Sequence, residues 1–185
     1  RASRTAVSQR VVTASLGRDQ IESGGLAVVI GFSLVIIFMV AMYGIFGLFS
    51  TAALLVNVVL ILGGLSGLGM TLTLPGIAGI ILTIGMAVDA NVLIYERIRE
   101  EVRNNRTPVQ AIQAGYERAL AAILDANITT FIAAAVLYML GAGPVRGFAV
   151  TLGIGIVTSV FTAFVISRLL AVLWLRAFKP KKLPI

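Results

Sequence analysis

From Leu26 onward the chain is built of long apolar runs broken by short polar or glycine-rich punctuation. Between Glu22 and Asp89 there is no Asp, Glu, Lys or Arg. About 20 apolar residues cross the ~30 Å hydrocarbon core of a bilayer as a helix, so this stretch is long enough for three crossings. The intervals from Asp125 to Arg146 and from Arg146 to Arg168 enclose one further apolar run each. One such run also suits a buried soluble helix; five do not. The pattern predicts an all-α, polytopic transmembrane bundle with spans over 26–46, 51–68, 74–94, 125–142 and 147–174. Residues 1–24 read as the end of a truncated domain leading into the membrane. Residues 95–124 read as an amphipathic loop, and 176–185 as a basic tail.

Local signals sharpen some of these boundaries. Gly67 to Thr71 reads as a turn, and Pro75 stands in the first turn of the next helix, where its missing donor costs little. Beyond Ile94 the charged run Glu96 to Arg103 continues the third helix, with Glu96 and Arg99 favourably placed on one face. Asn104-Asn105-Arg106 stops it. Thr107-Pro108-Val109-Gln110 is a capping box, a hydroxyl at N-cap with glutamine at N3. The helix it opens runs directly into the fourth span. Gly141 to Pro144 is the next turn. The last apolar run is longer than one crossing needs, which predicts tilt or a protruding end.

Composition removes several classes of function. Of 185 residues, 58% are hydrophobic and 12% charged, with no cysteine and no histidine. Disulfide and thiolate chemistry are excluded, and the usual transition-metal ligands are missing. No phosphate-cradling glycine loop and no nucleophile–base pair occurs, so neither an enzyme nor a bound cofactor or metal is expected. The net charge of +7 does not form an aromatic-interleaved patch, which argues against nucleic acid. The basic residues flank the apolar runs instead. Arg97, Arg99, Arg103, Arg106 and Arg118 share one side with Arg176, Lys179, Lys181 and Lys182, which the positive-inside rule makes cytoplasmic. The N-terminus then falls on the opposite, periplasmic side, against the charge of Arg1, Arg4, Arg10 and Arg18. A folded translocated domain upstream tolerates that.

The candidate chemistry lies in a tripeptide that occurs twice, Asp89-Ala90-Asn91 in the third span and Asp125-Ala126-Asn127 opening the fourth. A carboxylate near a helix centre costs about 2.5–3.5 kcal/mol on insertion scales, so Asp89 is expected to face a protein interior or a wet cavity. Intramembrane acids there serve proton carriage, or merely bond a neighbouring helix. Asp89 is the candidate proton relay. Asp125 is more simply a helix cap near the interface. Asn91 is assigned to orienting a neighbouring helix, and Asn127, Thr129 and Thr130 are supporting polar residues. Asn57, Thr129 and Thr130 are expected to hydrogen-bond between helices.

Leu72 to Gly79, Gly85 to Ile94 with Glu96-Arg97-Ile98, Asp125 to Thr130, Gly147-Phe148-Ala149, and Leu16-Gly17 with Ile21 to Gly24 together resemble the motifs of the SecD/SecF family. The likeness is to the C-terminal membrane region of its SecD branch, second to sixth helices, and covers almost the whole chain. It implies a resistance-nodulation-division type of membrane domain in the bacterial inner membrane. It also implies partnership with SecF and the SecYEG translocon, and use of the proton-motive force to assist a translocating unfolded polypeptide. Asp89 falls on the family position implicated in proton transport. A proton-coupled exporter of drugs or lipids, and a passive scaffold, are the alternatives.

Overall fold

The computed structural model describes residues 25–26, 29–70, 73–180 and 182–185. The expected end of an upstream domain, and the motifs at Leu16-Gly17 and Ile21 to Gly24, lie outside them. The chain divides into two units, Arg1–Leu34 and Val35–Ile185. The described part of the first is helical, with the Ser33 hydroxyl donating to the Val29 carbonyl at 2.8 Å.

All regular structure among the described residues is helical. α1 (Val29–Tyr43) is the shorter apolar helix. α2 (Ile45–Gly67), α3 (Leu74–Arg103), α4 (Pro108–Leu140) and the continuous run Pro144–Phe178 are each long and apolar enough to cross a membrane. The last run comprises α5 (Pro144–Phe161), a π-helical turn (Thr162–Ser167) and α6 (Arg168–Phe178).

The ends are fixed by the chemistry the sequence carries. Thr73 caps α3 by accepting from Gly76 N–H at 3.2 Å. Thr107 and Gln110 form the complete capping box of α4. α2 ends in a Schellman motif, with Gly69 at φ +64 and Met70 N–H donating to Leu65 O at 3.0 Å. α3 ends in the same way with an asparagine in the left-handed position. Asn105 (φ +59) donates to Val102 O at 3.0 Å, and Arg106 N–H to Glu101 O at 3.3 Å.

α3 is the axis of the second unit and packs most extensively on α5 and α4. Lipid is as apolar as leucine, so helices associate through close fit, and small residues allow it. A Cβ on Gly115 of α4 would strike the Ile98 side chain and lie 3.0 Å from its Cα. A Cβ on Gly155 of α5 would overlap Thr83, and one on Gly79 would come within 3.2 Å of Thr151.

At the other end, Tyr43, Tyr95, Phe46, Phe49 and Trp174 form an edge-packed aromatic cluster with neighbouring ring centroids 5.4 to 6.3 Å apart. Arg99 joins it to the α1–α2 turn, donating to Met42 O at 2.5 Å and bridging Glu96 at 2.7 Å. The fully buried Glu101 is paired with Arg106 at 2.6 Å and Arg118 at 2.5 Å, clamping the α3–α4 connection.

Three details differ from the sequence reading. The first reversal falls at Gly44 (φ +55), inside the expected first span, so Phe46 to Ser50 belong to α2. A Cβ on Gly47 would fall on the Met39 carbonyl, so only glycine permits so tight a return. The overlong final run is divided by the π-helical turn. The expected basic tail is helical to Phe178, and Leu183 beyond it is buried in the core cluster.

Gly115→Val forces α3 and α4 apart, whereas Gly153→Val meets only the Phe131 ring edge at 3.9 Å. Overpacking of a tight contact costs about 1–3 kcal/mol. Thermal unfolding of the full-length protein in detergent is expected to show a clear loss for the first and little for the second. Equal midpoints would disprove the close α3–α4 approach.

Candidate functional site

Asp89 lies 15 residues into α3, about 22 Å along its axis from the Leu74 end at 1.5 Å per residue. Asp125 lies 15 residues from the Leu140 end of the antiparallel α4, again about 22 Å. The two Asp-Ala-Asn tripeptides are therefore level. The sequence reading had placed Asp125 nearer the interface; along the helix axes it is as deep as Asp89.

Between α3 and α4 at this level is a cleft of about 220 Å³. α3 lines it with Met86, Asp89, Ala90 and Leu93. Ile123, Ala126, Asn127 and Thr130 line it from α4. Each set has the spacing i, i+3, i+4, i+7, one stripe of a helix. The repeated tripeptide is thus brought together in space, but unequally. Asp89 and Asn127 enter the cleft. Asp125 and Thr129 do not line it and are exposed on this chain. Alanine at 90 and 126 keeps the space open.

Asp89 is exposed at the cleft rather than enclosed by this chain. Among the described residues its carboxylate forms no ion pair. Asn91, two positions on and so about 200° round the helix, is only 2% exposed. The two polar residues of the first tripeptide therefore look in opposite directions, one into the bundle and one out of it.

The expected interhelical hydrogen bonds are not the ones made. Asn91 Nδ2 donates to Ala87 O at 3.0 Å, and Asn127 Nδ2 to Ile123 O at 2.7 Å. Thr129 Oγ1 donates to Asp125 O, and Thr130 Oγ1 to Ala126 O, both at 3.1 Å. Each donor takes the carbonyl four residues back on its own helix, the nearest acceptor in apolar surroundings. Among the described residues some buried polar atoms remain without a partner. Asn91 Oδ1 and Asn127 Oδ1 are buried without a partner among the described residues, as are both polar atoms of Asn57.

α4 is the bare side of the unit. From Leu124 to Leu140 only Ala134 is buried, and Ile128, Ile132, Met139 and Leu140 are among the exposed large apolar residues. The cleft carrying Asp89 opens beside this face. Met86, Leu93 and Ile123 were not named as site residues from the sequence, although the i, i+3, i+4, i+7 spacing about the two tripeptides was there to be read.

Residues 1–177 match the family described as "Protein export membrane protein SecD/SecF, C-terminal". The chain is 51% identical over 181 residues to the protein translocase subunit SecD of Rhodobacter capsulatus, covering 98% of this chain and 33% of that protein. It is 54% identical over 177 residues to the SecD subunit of Rickettsia prowazekii, covering 96% and 34% respectively. It is similar to the crystal structure of SecDF, a translocon-associated membrane protein from Thermus thermophilus, with a TM-score of 0.87 and 47% identity. That match covers 91% of this chain and 24% of the larger one. The chain thus spans about a third of the length of these curated relatives.

The opposed faces of Asp89 and Asn91 lead to a prediction. Asp89→Asn removes a charge from an exposed cleft wall and is expected not to lower the unfolding midpoint. Asn91→Asp buries an unpaired carboxylate and is expected to cost about 3 kcal/mol or more, read as failed assembly or a much lower midpoint. Equal behaviour of the two variants would show the faces to be misassigned.

Proposed function

Because the chain belongs to the SecD/SecF family of protein-export membrane proteins, we propose that it is the membrane part of a proton-driven auxiliary subunit of the Sec export machinery. It assists an unfolded polypeptide across the bacterial inner membrane. The observation that carries this reading is Asp89, an intramembrane carboxylate with no ion pair among the described residues, in a cleft at the bare edge of the bundle. A passive scaffold has no use for a charge that costs several kcal/mol to insert. The exporter alternative is not favoured, since the curated relatives are named protein translocase subunits.

Asp89 takes up a proton from one side and gives it up to the other. Ionised, it calls for water or a cation in the cleft. Protonated, it becomes a hydrogen-bond donor, and Asn127 Oδ1 in the same cleft is an acceptor without a partner among the described residues. The two states thus prefer different arrangements of α3 against whatever covers α4. The bare α4 face and the open cleft fit a second helical bundle, for which SecF is the candidate, with SecYEG as the wider partner. A membrane potential contributes about 2.3 kcal/mol per charge per 100 mV, enough to bias such a two-state packing.

In membrane vesicles holding the full-length protein and its partner, Asp89→Asn is expected to abolish stimulation of export by an imposed proton gradient while leaving expression near normal. Asp89→Glu retains part of it, since a carboxyl remains. Asp125→Asn is milder, because Asp125 does not line the cleft. Gradient-driven export at the parent level by Asp89→Asn would sink the relay.

We further propose a periplasmic N-terminus and a cytoplasmic C-terminus, from the charges at Arg97 to Arg118 and Arg176 to Lys182. Single cysteines at Asn105 and Lys182 should be shielded from an impermeant thiol reagent outside intact cells, and one at Ala142 should react. The reverse pattern would invert the topology.

A further inference from the structure

A second cleft, of about 370 Å³, lies between the first turns of α4 and helix α6, at the opposite end of the bundle from the Gly141 turn. Its walls include Arg168, Arg176 and Lys179, and its apolar side is made by Val109, Ile112 and Val172. None of the three cations forms an ion pair among the described residues. The Arg168 guanidinium lies over the Tyr116 ring, 5.7 Å from its centroid, which holds it towards α4. Gln113, also in the wall, is turned away to Glu117 at 2.9 Å and so engages the neighbouring acid. Val109 is 61% exposed, an apolar side chain beside unneutralised cations.

The level of this cleft follows from helix length. Pro144 to Arg168 spans roughly 36 Å along the axis, a little more than the ~30 Å hydrocarbon core. Arg168 therefore stands at the edge of the core, and Arg176 and Lys179 follow at headgroup level and just beyond. A basic hollow with an apolar side at that depth matches a ligand with an anionic head and a hydrocarbon tail.

We propose that this cleft binds an anionic phospholipid. The phosphate is held by Arg168, Arg176 and Lys179, and the glycerol backbone with the ester ends of the acyl chains, at headgroup level, lies against Val109, Ile112 and Val172. An acidic peptide segment would satisfy the cations but leave the exposed Val109 facing a polar ligand, which is why the lipid is favoured. The inference rests on the membrane span of α5 and α6 and is independent of proton carriage by Asp89.

The test uses the full-length protein with its native partner, delipidated in detergent and titrated with cardiolipin, phosphatidylglycerol or phosphatidylcholine, with bound lipid read by native mass spectrometry. The parent is expected to bind the two anionic lipids and not phosphatidylcholine. Arg176→Gln/Lys179→Gln should weaken that binding about tenfold or more. The control Arg97→Gln/Arg103→Gln removes equal charge from the same end and should change it less than about threefold. Both altered pairs are exposed, and unfolding midpoints confirm that the variants fold; if the double variant is lost, Arg176→Gln and Lys179→Gln singly should each give a part of the effect. Equal losses in site and control variants would overturn the site in favour of diffuse attraction. Displacement of the lipid by soluble polyglutamate as readily as by cardiolipin would overturn it in favour of an acidic protein partner. Binding of glycerol phosphate as tight as that of phosphatidylglycerol would show that no acyl contact is made.

Discussion

The near-contact of α3's backbone with α4 and α5 is the constraint on which the rest of this bundle depends. In a bilayer no water is expelled when two apolar helices meet, so association relies on how closely they fit. Gly115 against Ile98, Gly155 against Thr83 and Gly79 against Thr151 let α3 lie in a groove of its neighbours. Once α3 and α4 touch at Gly115, their antiparallel course sets Asp89 opposite the Asn127 stripe without further help. The Glu101 clamp with Arg106 and Arg118 holds the near end of the same hairpin.

Hydrogen-bond accounting explains why the site is poised rather than locked. Most hydroxyls and the Asn91 and Asn127 N–H groups in the apolar segments bond carbonyls three or four residues back on their own helices, while Tyr116 and Ser167 join α4 to the π-helical turn at 2.7 Å. Carboxylate and amide oxygens have no such local solution, because helix N–H groups are already engaged. Asn127 Oδ1, which shares the cleft with Asp89, is accordingly without a partner among the described residues.

Much of this was readable in the residues, for reasons that differ by element. Helix class and the depth of Asp89 followed from spacing between charges, since the bilayer sets one length. The ends at Thr107 and Asn105 followed from residues that do local work, as did the start of α3 from Pro75. The Gly44 reversal did not, because Gly44 is one of several glycines in an uncharged run, and the close return of Gly47 on Met39 is a tertiary event. The unequal fate of the two Asp-Ala-Asn tripeptides was also hidden. Asp89 and Asp125 open the same tripeptide, and the facing of α3 against α4 separates cleft wall from open surface. Within this chain Thr129 and Thr130 donate to carbonyls of their own helix, where an acceptor lies one turn back. The bare face of α4 was visible in neither periodicity nor composition, since a lipid-facing and a partner-facing surface are both apolar.

The π-helical turn at Thr162–Ser167 sets the phase of everything after it. Its wider ring takes in about one residue more than an α-turn, and one residue is roughly 100° of rotation. The face that α5 shows to α3 and the face that α6 shows to α4 are consequently chosen independently, although one continuous rod carries both. A single-residue deletion in this turn that restored α-helical winding would leave the α5 packing untouched. It would swing Arg168, Arg176 and Lys179 together about a quarter turn away from Val109. The turn is thus a one-residue register element between two helical segments that pack on different neighbours.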